Sequence, residues 1–198
     1  EELNDATANL PNYYKSVENI TALEMPLSNS VSKASLAAPS LLNLYSEGDL
    51  RLDKYFAKAD ANGYRKNQKG GSNNFLCTFR TGEIYLTAAE AAAQSDKLPE
   101  ARKRLLELMR KRYSPETYLT KEVIVNKMDK GALIGEILNE RARELAFEGH
   151  RWFDLRRTTR PRMEKTFEGK TYVLEENDPR YTISIPKDAI EANPGLLN

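Results

Sequence analysis

The sequence is poor in the residues that most directly carry chemistry. It holds one cysteine, Cys77, and one histidine, His150. A single cysteine excludes an internal disulfide and a cysteine-rich zinc site. A single histidine excludes paired-histidine metal ligation, and any histidine-based catalysis would rest on His150 alone. For both residues the ordinary role is filling core or surface, so no metal or cofactor is expected. No run approaches the ~20 apolar residues that cross a bilayer as a helix. Charge of one sign is also missing: 30 Lys+Arg against 29 Asp+Glu give a formal net charge of +1. Such balance offers no general attraction to nucleic acid or anionic lipid, and no nucleic-acid partner is expected. No basic-then-apolar segment opens the chain. Glu1-Glu2-Leu3-Asn4 reads as the interior of a longer protein, so any export signal or lipid anchor is expected upstream.

What is present is ordinary globular material: 198 residues, 40% hydrophobic and 30% charged. That suffices for one domain with a real core or for part of a larger one. Residues 1–33 are mixed, with Tyr13-Tyr14 among polar residues after Pro11, and Ser28 to Ser35 reads as loop. Pro39 opens a short helical pattern through Leu41, Leu42 and Tyr45, ended by Gly48-Asp49. Residues 60–74 are polar, glycine-rich and without period, the clearest loop.

From Thr81 the pattern is strongly helical. Ile84, Ala88, Ala91 or Ala92, and Ser95 recur at helical intervals, and Ala88 to Ala93 is almost all alanine and glutamate. Pro99 is placed as a first-turn proline for a second helix with Ala101, Leu105, Leu108 and Met109 inside. Together these predict an antiparallel helical hairpin. Residues 113–128, with Pro115 and Val123-Ile124-Val125, read as a linker. A long helix follows over roughly 130–148, lined by Ile134, Ile137, Leu138, Ala142 and Leu145. Gly149 terminates it, and Trp152, Phe153 and Leu155 supply a short second helix stopped by Pro161. Tyr181 to Ile185 alternates like a strand, one short hairpin or strand pair is expected near 167–185, and Asp188 to Ala192 suits one helical turn.

Three features could carry catalysis, and each has a simpler reading. Glu140, Glu144 and Glu148 stack at four-residue spacing. A glycosidase needs two carboxylates facing one another across the scissile bond, roughly 5–10 Å apart, and one helix stripe does not enclose a substrate. Surface pairs Glu140–Arg143 and Arg141–Glu144 are the simpler expectation. Glu148 to Arg156 is dense in polar and aromatic types, but no nucleophile elbow, P-loop or His-Glu-x-x-His accompanies His150. A helix junction with Trp152 buried and Arg151 paired to Asp154 accounts for that composition. Gly70-Gly71-Ser72 lacks the lysine ending of a phosphate loop and reads as surface loop. No catalytic residue is therefore expected. Sugar binding asks for exposed rings against pyranose C–H faces with amides nearby. Asn12, Tyr13, Tyr14 and Tyr64, in polar loop-like contexts, are the candidate ligand-binding residues.

The phase of Tyr85, Ala89, Ala101, Leu105 and Leu108 resembles one tetratricopeptide unit. Three larger blocks resemble the C-terminal region of the SusD/RagB family. Arg80-Thr-Gly-Glu-Ile-Tyr-Leu-Thr-Ala-Ala-Glu-Ala is similar to that family's R-x-x-E-x-Y-L-x-x-A-E-A helix. Ile137 through Arg157 contains its E-R-x-x-E-L-x-F-E-G-x-R-x-x-D-L-x-R stretch. Ile185-Pro186 with Asn193-Pro194 resembles its closing segment, with Ala189 where the family has glutamate. Leu44-Tyr45 with Asp49-Leu50-Arg51 is a weaker fourth match. The resemblance is clearest over 36–198 and identifies residues 1–198 as the C-terminal portion of a larger protein. It implies a mainly α fold with tetratricopeptide-like hairpins, long loops and a short C-terminal strand segment. It implies a non-catalytic surface lipoprotein of the outer membrane in Bacteroidota, anchored through a segment outside this chain. Such a protein binds oligosaccharide or polysaccharide and delivers it to a TonB-dependent, SusC-like transporter. A tetratricopeptide-like scaffold that binds protein and no sugar is the alternative. The matching residues read physically as scaffold, so the resemblance leaves the sugar site open.

Overall fold

The computed structural model describes residues 16–24, 36–69, 75–193 and 195. It divides into two compact units, Glu1–Arg151 and Trp152–Asn198. Among the described residues, helices dominate and only two small two-stranded sheets occur, so the fold is mainly α.

The first unit is organised by four helices: α3 (Thr81–Gln94), α4 (Leu98–Met109), α5 (Pro115–Lys127) and α6 (Lys130–Glu144). Helices α3 and α4 form the expected hairpin around Ser95-Asp96-Lys97. Asp96 takes a left-handed conformation there (φ 60°), which aspartate tolerates better than most residues. Leu86, Ala89 and Ala93 of α3 pack with Ala101, Leu105 and Met109 of α4, Val125 of α5, and Leu133 and Ile137 of α6. The alanines let α3 lie close to both α4 and α6. Each fully buried leucine or isoleucine here contributes ~1.5–3 kcal/mol of transfer free energy.

The inward phase of α3 differs from the expected one, since Ile84 and Tyr85 remain exposed. The first turn sets the phase. Gly82 is buried where a Cβ would lie 2.7 Å from Arg80 Nη1 and 3.0 Å from Glu144 Oε1. From Gly82, spacings of four, three and four bring Leu86, Ala89 and Ala93 inward. The 113–128 stretch is helix α5, not a linker. Ser114 caps it by accepting from the Thr117 N–H at 3.4 Å, Pro115 occupies the first turn, and buried Val125 anchors its end. Tertiary anchoring overrides the β-branched Val123-Ile124-Val125 run.

Helices α1 (Pro39–Leu42) and α2 (Arg51–Tyr55) precede this bundle. Ala37, Tyr45, Tyr55 and Phe56 form a second apolar cluster, against which Phe147 packs edge-on. Strand β1 (Asn19–Glu24) pairs antiparallel with β2 (Phe75–Arg80), from Asn19 opposite Arg80 to Glu24 opposite Phe75, with the register shifting between Asn19 and Thr21 and between Leu23 and Glu24. Helix α6 ends at Glu144, and Phe147 (φ 63°) and Gly149 (φ 85°) turn the chain into α7 (His150–Arg157).

In the second unit, β3 (Met163–Phe167) and β4 (Lys170–Leu174) form a hairpin. Glu168 (φ 48°) and Gly169 (φ 74°) both take positive φ, as a tight two-residue hairpin turn requires. The strand pair expected near 167–185 lies here, at 163–174, and the 181–185 alternation is not part of it. Tyr181 closes a 3-10 turn (Pro179–Tyr181), is fully buried, and donates its hydroxyl to the Pro161 carbonyl. With Tyr181 held inward and no partner strand among the described residues, the alternation that follows stays unpaired. Trp152 is half-buried, stacked on Tyr181 with centroids 5.2 Å apart and planes 11° apart. Asp154 is buried and ion-paired to Arg157 at 2.7 Å. Helix α8 (Lys187–Ala192) follows.

Candidate functional site

The motif blocks meet inside the first unit, where Arg51, Lys69, Arg80, Arg112 and Arg143 face Glu18, Asp49, Glu140, Glu144 and Glu148, all of them buried. Helix α6 presents Glu140 and Glu144 one turn apart on the same side, and the turn beyond it adds Glu148. Glu144 lies at the centre. It accepts from Arg51 Nη1 at 3.0 Å, Arg80 Nη1 at 2.5 Å and Arg112 Nε at 3.0 Å. Arg51 also holds Glu140 at 2.6 Å and forks onto Asp49, its neighbour two residues back, at 2.8 and 2.9 Å. Arg80 forks onto Glu148 at 2.8 and 3.0 Å and donates to the Glu144 carbonyl at 2.6 Å. Arg112 reaches Glu18 at 2.7 Å, and Arg143 reaches Glu140 at 2.6 Å. Lys69 donates to Glu148, to the Glu144 carbonyl at 2.5 Å and to the Ala146 carbonyl at 3.2 Å. The Tyr113 hydroxyl donates to Glu140 at 3.2 Å, and that of Tyr45 to the Arg143 carbonyl at 2.7 Å.

Five guanidinium or ammonium groups thus meet five carboxylates, and the electrostatics follow. Burial alone would raise the Glu140 carboxyl, but Arg51 and Arg143 outweigh it and hold the group at about 2. Glu148 also ends at about 2, because Arg80 and Lys69 outweigh its burial. Glu144 is held well below the usual carboxylate range by Arg112, Arg80 and Arg51, against the same burial effect. Burial pushes the Lys69 ammonium down to about 8, although Glu148 opposes it.

The expected surface pairing of this stripe is half right. Glu140 does pair with Arg143, but in the interior. Glu144 turns inward to three arginines from distant parts of the chain, while Arg141 donates to Thr87 Oγ1 at 3.2 Å. A carboxylate serving as general acid needs a raised pKa and contact with substrate. Glu140, Glu144 and Glu148 have lowered pKa values and are enclosed. They act as a lock joining α2, β2, α6 and the turn before α7.

Of the expected sugar-binding residues, Asn12, Tyr13 and Tyr14 lie outside the described residues. Tyr64 is half exposed (50%) on the 60–64 loop. Asp60 Oδ1 holds that loop by accepting from the backbone N–H groups of Asn62 and Tyr64, each at 2.9 Å. Arg65 beside it donates to Asp53 at 3.3 Å. Among the described residues no group of three or more His, Cys, Asp or Glu could hold a metal ion. No helix among them is long and apolar enough to cross a membrane.

The sequence model of the SusD family matches residues 12–198, and the chain belongs to that family. Solved structures agree on the fold. A SusD superfamily protein from Bacteroides fragilis superposes with a TM-score of 0.71 at 20% identity, over 97% of this chain and 46% of its own. A SusD-like carbohydrate binding protein from Bacteroides vulgatus gives a TM-score of 0.60 at 20% identity, over 93% and 50%. Another SusD superfamily protein from Bacteroides vulgatus gives 0.57 at 19% identity, over 91% and 45%. The chain spans about half the length of these relatives. No curated protein matches it.

Proposed function

We propose that this chain is the C-terminal region of a longer, non-catalytic glycan-capture protein. The protein is lipid-anchored at the outer membrane, faces the exterior, and passes oligosaccharide to a TonB-dependent, SusC-like transporter. Family membership supports the class, and the carbohydrate binding ascribed to the Bacteroides vulgatus relative supports the ligand. The single observation that carries the non-catalytic part is the fate of the motif acids: Glu140, Glu144 and Glu148 are all buried against cations. A chain whose motif acids serve its own interior is suited to hold a ligand surface, not to cleave a glycosidic bond.

Sugar contacts then come from connections that stay exposed, because the helices use their apolar stripes in packing. Tyr64, with Asn12, Tyr13 and Tyr14, is proposed to contact the sugar. The α3–α4 hairpin is the feature that favours the alternative, a protein-binding scaffold. Calorimetry with a panel of oligosaccharides on parent protein and on Tyr13→Ala, Tyr14→Ala and Tyr64→Ala variants separates the two. Glycan binding weakened in at least one variant supports capture, and binding of no glycan supports the scaffold. Unchanged affinity in all three variants removes the three tyrosines from the site. Release of reducing ends by the purified protein, abolished by Glu144→Gln, overturns the non-catalytic reading. Co-purification of an outer-membrane transporter with the tagged protein tests the delivery step.

A further inference from the structure

The second unit carries a surface that the proposed function does not yet use. From Arg156 to Arg162 the chain has four arginines and no acid. Two of the four are neutralised: Arg157 by Asp154 at 2.7 Å, and Arg162 by Glu164 at 2.8 Å and Glu175 at 3.3 Å. Among the described residues, no carboxylate lies within ion-pair distance of Arg156 or Arg160. Arg160 is in a left-handed conformation (φ 40°), and its Nε donates to the Arg156 carbonyl at 3.0 Å. That bond folds the Arg160 side chain back over the end of α7, so both cations belong to one short surface.

An aromatic ring joins them. Phe153 is 62% exposed although it lies on a helix. Phe153, Arg156 and Arg157 stand at i, i+3 and i+4 of α7, the spacing that gathers side chains on one helix face, and Arg160, beyond the helix end, joins them through its bond to the Arg156 carbonyl. Trp152, one position earlier, turns instead to Tyr181. The neighbouring Thr159 is exposed and offers a hydroxyl. The face therefore combines an apolar ring, two uncompensated guanidinium groups and a hydroxyl donor–acceptor.

We propose that this face binds anionic oligosaccharide, the acid being a uronate carboxylate or a sulfate ester. A pyranose ring rests its C–H face on Phe153, while Arg156 and Arg160 take the acidic substituents through paired N–H donors. Planar guanidinium forks fit both carboxylate and sulfate. The proposal rests on the glycan-capture reading and narrows its substrate class. A glycan is favoured over an anionic membrane because α7 has eight residues and only a single exposed ring among arginines and threonines, a poor apolar face for insertion.

The test compares parent protein with Arg156→Gln/Arg160→Gln and with Phe153→Ala. Calorimetry uses three probes: tetragalacturonate, a chondroitin sulfate tetrasaccharide and neutral cellotetraose. We expect at least one acidic probe to bind more tightly than the neutral one. Its affinity should fall about tenfold or more in the double-arginine variant, as expected for losing hydrogen bonds to a charged group, and should weaken with salt. Phe153→Ala should also weaken binding. Melting temperatures should stay close to the parent's because Phe153 and Arg160 are exposed and Arg156 is only partly buried, and Lys165→Gln on β3 should bind as the parent does. Equal affinity for acidic and neutral probes, or undiminished acidic binding in the double-arginine variant, overturns the proposal and leaves glycan capture standing. Binding of none of these sugars nor of a wider neutral panel removes both. Arginine-dependent binding to phosphatidylglycerol vesicles without any sugar binding assigns the face to a membrane and overturns the proposal.

Discussion

Glu144→Gln is the sharpest probe of the ionic lock. The substitution keeps size and shape but removes one negative charge and turns one acceptor oxygen into a donor. In the parent, Glu144 Oε1 accepts from Arg80 at 2.5 Å and Arg112 at 3.0 Å, and Oε2 accepts from Arg51 and Arg112, both at 3.0 Å. Whichever way the amide turns, an N–H₂ faces a guanidinium. Three arginines then lose part of their compensation where water does not reach. Breaking a buried pair on one side costs ~3–5 kcal/mol, because the partner charge stays desolvated. Against a typical domain stability of ~5–15 kcal/mol this is a large fraction. Urea unfolding followed by far-ultraviolet circular dichroism should show the midpoint falling with an unchanged slope. Glu100→Gln is the control: its pair with Arg104 at 2.8 Å is on the surface, and it should cost under ~0.5 kcal/mol. A Glu144→Gln loss below ~1 kcal/mol would mean that the cluster relaxes or admits water, and the lock interpretation would fail.

Acid should undo the same cluster. Glu140 and Glu148 have folded-state values of about 2, below the ordinary 4.5, so the stability they contribute is complete above pH 4.5 and declines as pH falls toward 2. Unfolding midpoints measured from pH 7 to 2 should be flat down to about 4.5 and then drop; a flat profile to pH 2 contradicts the assignment. Gly48→Ala should cost ~2–4 kcal/mol from left-handed backbone and overpacking, since Gly48 has φ +77° and a Cβ would lie 1.9 Å from Thr117 Oγ1. Thermal melting checks it, and a parent-like melt refutes it. Leu105→Ala should cost ~2–5 kcal/mol, the range for a fully buried leucine, and calorimetric unfolding with a loss under 1 kcal/mol would show a looser core. Tyr64→Ala should leave stability within ~0.5 kcal/mol whatever it does to sugar affinity, because half of its surface faces solvent.

The helices of the bundle were legible because a 3.6-residue period is local. Ala101, Leu105, Leu108 and Met109 show their shared face in the chain itself, and all four are buried. The β3–β4 hairpin was equally local: a short strand pair is expected near 167–185, and the turn chemistry of Glu168-Gly169 sets it at 163–174. The role of residues 113–128 was not legible, since Val123-Ile124-Val125 favours extended backbone until Ser114 caps the helix and Val125 finds a core. Absence of catalytic signatures and balanced charge were fixed by composition and motif alone.

The ionic lock belongs to tertiary structure. In the sequence, Glu140, Glu144 and Glu148 stand beside Arg141 and Arg143, and helix spacing makes surface pairs the natural expectation. Arg51, Arg80 and Arg112 lie 93, 64 and 32 residues from Glu144, and nothing local brings them to it. Side-chain periodicity tells which residues share a face but not whether that face meets water or another element. The partners of Glu144, and with them its burial and ionisation, were decided only when α2, β2 and the end of α4 closed over α6.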